Sequence, residues 1–200
     1  MRSPYPSLFT SPANRGPQVP RQFLRLLAGP DRKPFQRGSG RLELAQAIAS
    51  PQNPLTARVW VNRMWGHLCG QGLVSTPSDF GTRSDPPSHP QLLDYLACRL
   101  VRDGWSTKKL IRAIVESRTY QQASDGHEAG RTADPENRLL WRMNRRRLDL
   151  EALRDSLLVA AGRLDKTVGG PSVPITDPPF ATRRSLYGFI DRQNLPGFFR

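Results

Sequence analysis

The chain has 200 residues, of which 37% are hydrophobic and 24% charged, with a formal net charge of +13. That balance suits one folded domain plus extensions and excludes an intrinsically disordered composition. No apolar run approaches the roughly 18 residues of a bilayer-spanning helix, the start "MRSPYPSLFTSPANRGPQVP" lacks the apolar centre of a signal peptide, and two cysteines make no disulfide framework.

The charge is unevenly spread. Residues 1–40 carry +6, residues 41–165 only +4, and residues 166–200 carry +3. The excess lies mainly in the Pro-rich ends and is mostly arginine, a residue suited to internal ion pairs and carboxylate recognition. A nucleic-acid partner is therefore disfavoured, although a basic chain raises it.

Residues 1–40 hold seven prolines and read as an extended, basic leader with one short helical stretch at "RQFLRLLAG". The next helix follows Ser39, with Leu42, Ala45 and Ile48 on one side, and Pro51 ends it. In "NPLTARVWVNRMWGHLCGQG", Asn53 is the expected N-cap, Pro54 the first helical residue and Gly70 the stop. Ala57, Trp60, Val61, Met64, Trp65 and Leu68 share one face, with Leu55 and Val59 opposite, so this helix is expected to be buried around most of its girth. Cys69 and Cys98 are expected as two separate buried thiols, with a single buried bridge as the alternative.

"QGLVSTPSDFGTRSDPP" is a turn-rich loop. Ser88 and Gln91 predict a capping box for a helix that ends at Gly104, and Ser106 caps another running to Tyr120. The link at Trp105 is short enough to make these two a helical pair. After a polar loop, Asp134-Pro135 predicts a further cap-plus-proline helix start, and a last helix carries Leu150, Leu153, Leu157 and Leu164. From Val168 the chain turns irregular, and "RRSLYGFIDRQNLP" reads as extended. The expected fold class is mainly α: five to six helices in a core over 41–165, between a leader at 1–40 and an irregular arm at 166–200.

Several groups could carry chemistry. Arg58/Asn62 and Arg63/His67, each four residues apart, form polar strips on the tryptophan-rich helix. Charge on a buried helix must be paired, so these strips either tie the helix to neighbouring loops or line a pocket with Asp79 and His89. Asp79 is the expected partner of an arginine. A metal is not expected, because His67 and Cys69 diverge by about 200° on a helix and His127 lies in a loop. Ser106-Thr107-Lys108-Lys109 matches S-x-x-K, but no K-T-G partner exists and a helix cap explains the serine better. Arg145, Arg146 and Arg147 form a candidate anion clamp, against which stands ion pairing with Asp149, Glu151, Asp155 or Asp94.

Taken in order, "SGRLELAQAIASPQNPLTARVWVNRMWGHLCGQGLVSTPSDFG", "PSHPQLLDYLA", "GWSTKKLIRAIVESRTYQQAS", "DPENRLLWRMNRRRLDLEALRDSLL" and "RRSLYGFIDRQNLPGFF" resemble the carboxy-terminal domain of unknown function, family 1553, of large planctomycete-type exported proteins. The resemblance covers about residues 17–200. It implies an envelope context, with partners among other domains or subunits of a larger protein and a link to polysaccharide. Haem in such proteins belongs to a separate upstream domain, so no cofactor is expected on this chain. Cys69 stands where relatives carry an aromatic, and the chain stops at "GFFR" where they continue, so a truncated fragment is expected. The family brings no catalytic residues. The leading expectation is a binding or assembly module. The alternatives are a hydrolase-like domain using His67, Asp79 and His89, and nucleic-acid binding through the basic ends.

Overall fold

The computed structural model describes residues 19–191 and residue 193. Among the described residues eight α-helices run in order: α1 (Arg25–Ala28), α2 (Arg41–Ile48), α3 (Pro54–Cys69), α4 (Pro90–Arg102), α5 (Thr107–Val115), α6 (Arg118–Gln121), α7 (Glu128–Ala133) and α8 (Leu150–Ala160). Among the described residues no strand forms. Pairing is limited to isolated bridges, Gln22 with Pro34, Asp165 with Arg183 and Val173 with Gly188. The chain is mainly α, and only α2, α3, α4, α5 and α8 reach eight residues. It divides into two compact units, residues 1–144 and 145–200.

The core of the first unit is built on α3, α4 and α5. Residues four apart on α3, namely Ala57, Val61, Trp65 and Cys69, form one buried stripe. Leu93, Leu96, Ala97 and Leu100 of α4 face it, and Leu110 and Ile114 of α5 complete the layer. Fully burying side chains of this size stabilises by about 1.5–3 kcal/mol each.

Local chemistry sets the ends of these helices. The Asn53 side chain accepts from Leu55 N at 3.1 Å and donates to Ile48 O at 3.0 Å, which joins α2 to α3. Pro54 follows at the first helical position, and Gly70 closes α3 at φ 93°. Between α4 and α5 the chain reverses through Gly104 (φ 70°) and Trp105 (φ 60°), with Trp105 N donating to Leu100 O. Ser106 then caps α5.

Four expectations are corrected here. Ser88 and Gln91 form no capping box: Ser88 N donates to Leu73 O, its hydroxyl lies 3.0 Å from His89 Nδ1, and His89 takes the N-cap position without a side-chain cap bond. The predicted run from Ser106 to Tyr120 breaks after Val115, because Ser117 caps a new short helix through Tyr120 N. Asp134-Pro135 starts no helix. Asp134 is the C-cap of α7, its carboxylate accepts from Arg138 N and Leu139 N, and Asn137 and Leu140 adopt positive φ. The stretch read as extended near residue 187 contains a 3-10 turn, Ser185–Tyr187.

The second unit has α8, capped by Asp149 through Ala152 N, and a coil folded beside it. Arginine supplies the bonds that a strand partner would otherwise make. Arg154 donates to Arg183 O at 2.9 Å, to Ser185 Oγ at 3.1 Å and to Ala181 O. Arg183 donates to Pro171 O, Thr167 O and Gly169 O, with its guanidinium 4.3 Å over the Tyr187 ring. A planar fork with five donors and no acceptor fits a coil with unpaired carbonyls.

Candidate functional site

Beyond its first residue the tryptophan-rich helix α3 meets solvent along one strip: Trp60 is 41% exposed, and Arg63 and His67 beside it are exposed. Leu55 and Val59 on the other side are half-buried, so the expectation of burial around most of the girth holds except at this strip, where Trp60 departs from it. Val61 and Trp65 share one core cluster with residues of α4, α5 and the 73–74 loop. Trp60 Nε1 reaches Thr107 Oγ1 at 3.3 Å.

The two polar strips therefore have different fates. Asn62 is 1% exposed and is satisfied by one neighbour. Its Oδ1 accepts from Val74 N at 2.9 Å and its Nδ2 donates to Val74 O at 3.1 Å. The side chain thus imitates a strand partner for the 72–74 loop. Gly72 is required beside it, since a Cβ there would stand 2.7 Å from both Asn62 amide atoms and 2.8 Å from Val74 O. Arg58 pairs with Asp94 at 2.7 Å and donates to Pro54 O at 2.7 Å.

Asp94, and not Asp79, is thus the carboxylate that Arg58 finds. Asp79 folds back on its own loop, accepting from Gly81 N at 2.8 Å through its side chain and from Thr76 Oγ1 through its carbonyl. An Asx turn of this kind is what the "SDFG" composition favours. His89 meets Ser88 Oγ. Arg145, Arg146 and Arg147 lie in exposed irregular chain just ahead of α8. Three of the acids set against them have other partners: Asp94 pairs with Arg58, Asp149 caps α8, and Asp155 accepts from Ser185 N and Oγ and lies 3.9 Å from Arg184. Cys69 is buried as expected, whereas Cys98 is exposed on the outer face of α4.

A polar seam that sequence reasoning missed closes the end of α3. Asn137, 3% exposed and at φ 55°, donates to Arg142 O at 2.9 Å and to Asn144 Oδ1 at 2.8 Å. Asn144 Nδ2 donates to Cys69 O at 2.9 Å, which satisfies a carbonyl of the last helical turn. The pair bridges 75 residues, and nothing in the local pattern announces it. The seam borders a cavity of about 20 Å³ with Trp65, Gly72, Ser75 and Ser88, room for a single water. None of His67, Asp79 or His89 lines it. Arg58 and Asp94 border an open groove of about 390 Å³ instead.

Among the described residues no three His, Cys, Asp or Glu side chains come close enough to hold a metal ion. Two carboxylates are held below their ordinary range. Glu43 is lowered by the N–H groups of Gln36 and then Arg37, and Asp165 by the hydroxyl and then the N–H of Thr167. Both are half-buried at the surface and act as local caps. No described helix is long and apolar enough to cross a membrane.

Comparison with known families matches residues 40–200 to the model described as PSD1, protein of unknown function (DUF1553). No curated protein and no solved structure matches the chain.

Proposed function

Given that the chain belongs to the DUF1553 family over residues 40–200, we propose that it is a non-catalytic module for binding or assembly within a larger envelope protein. The observation that carries this reading is how the polar side chains are used. Asn62 holds Val74, Asp79 holds Gly81, Arg58 holds Asp94 and Pro54 O, and Arg154 and Arg183 hold backbone carbonyls. A general base or nucleophile needs a second group within hydrogen-bond reach and a cavity for substrate. His67, Asp79 and His89 line neither the one-water cavity beside the asparagine seam nor the open groove beside Arg58 and Asp94.

Surface chemistry supports a partner. The second unit exposes Leu153, Leu157, Phe180, Leu186 and Phe189, all between 46% and 73%. An apolar groove of about 270 Å³ lies between α8 and Ile175–Phe180. Grouped large apolar side chains at a surface mark sites of association.

The test has two arms. The purified chain should turn over none of a panel of glycans, esters and sulfated sugars, and should bind separately expressed domains that accompany this family in longer polypeptides. Turnover that disappears in His67→Ala or His89→Ala would instead establish the hydrolase alternative.

A further inference from the structure

We propose that His127 is a pH-sensitive latch that opens the lobe around Trp141, residues 123–143, under mildly acidic conditions. His127 is the N-cap of α7, and Gly130 N donates to its Nδ1 at 3.0 Å. A backbone N–H can only donate, so Nδ1 must carry a lone pair and the ring hydrogen must sit on Nε2. A proton arriving at Nδ1 removes the acceptor and leaves two N–H groups facing each other. The other capping side chains, Asn53, Ser106, Ser117 and Asp149, all use oxygen. His127 is thus a helix cap whose acceptor is an imidazole nitrogen, the one type of side chain that ordinarily changes charge near neutral pH.

The cap matters because α7 is seated without slack. The Trp141 ring centre lies 4.9 Å from that of His127. Its indole covers Gly130 so closely that a Cβ there would be 2.6 Å from the ring. Trp141 Nε1 donates to Asp134 O at the far end of α7. The helix is therefore held by His127 at one end and Trp141 at the other, and the ring of one packs on the ring of the other. The same lobe hangs on Met143 N to Ala123 O and on Gln122 Nε2 to Leu140 O.

Charged groups surround the latch on both sides. On the α7 side are Asp125, Glu128 and Arg131, and from the facing segment Asp134 and Arg142, whose guanidinium lies 5.2 Å over Trp141.

Amide exchange on the full chain at pH 7.5 and 5.5, each rate normalised to its intrinsic value, tests the latch. Protection at Gly130, Arg131, Asp134 and Met143 should fall about fivefold or more at the lower pH, while α4 amides keep theirs. His127→Asn, whose side-chain oxygen accepts at both values, should abolish the pH dependence. Should that variant fail to fold, the nitrogen shifts of His127 in the native chain decide: Nδ1 bare at pH 7.5 and protonated at 5.5. Equal protection at both pH values, a loss shared by His127→Asn, or a hydrogen on Nδ1 at pH 7.5 overturns the proposal.

Discussion

Asn62 performs with one side chain what a strand partner performs with its backbone. Its amide presents a donor and an acceptor side by side, and Val74 answers with its carbonyl and N–H. Both residues are buried, so removing the amide leaves two backbone groups without water or partner. Asn62→Ala should therefore cost about 3 kcal/mol, well beyond the lost contact area alone. Gly72→Ala attacks the same join from the loop, because its Cβ would displace the Asn62 amide. The two substitutions should be clearly less than additive in a double-mutant cycle, since the second breaks a bond already lost. Urea unfolding of the two single variants and the pair checks this. Fully additive losses would mean that Gly72 serves some purpose other than seating Asn62.

At the scale of the helix, what the sequence shows depends on whether the partner is near. Asn53-Pro54 and Gly70 are legible because a cap, a missing donor and a left-handed stop are each set within four residues. The Ser88–Gln91 motif misleads because Leu73 O, fifteen positions earlier, draws Ser88 N. Asp134-Pro135 misleads because the same carboxylate chemistry that starts a helix also closes a turn, and the positive φ of Asn137 and Leu140 shows which happens. Asp79 misleads as an arginine's partner because its two-residue reach to Gly81 outcompetes a distant cation at less cost in chain entropy. The 58–94 pair and the Asn144–Cys69 bond have no local signature at all. The coil beside α8 adds a prediction of its own. Arg154 reaches three acceptors on residues 181–185. Lysine keeps the charge but not the planar fork, so Arg154→Lys should lower stability by about 2 kcal/mol. Exchange at Tyr187 and Gly188 would rise with it, and a lysine variant that melts with the native chain would mean that charge alone suffices.

Over the whole molecule the charge needs the same accounting. The net +13 divides into +9 on residues 1–144 and +4 on residues 145–200, and 26 of the 30 cations are arginine. Arg21, Arg32, Arg58, Arg154 and Arg183 all donate to backbone carbonyls of their own unit. A fold with many irregular segments and no strands among the described residues leaves carbonyls to be satisfied, and guanidinium satisfies them. Basicity in this chain is thus in part a structural consequence of coil. Guanidiniums engaged in that way have few donors left for phosphate, and their geometry is set by the backbone they hold. Nucleic-acid binding through a dedicated face releases about one counterion per phosphate neutralised, giving slopes of about −6 to −10 in log affinity against log salt. This chain should instead show a slope shallower than about −3 with a short DNA duplex, and no retained complex near 150 mM salt. Fluorescence anisotropy across a salt series measures it. A steep slope with micromolar affinity at physiological salt would return the basic ends to the role of a nucleic-acid interface and displace assembly as the reading of this module.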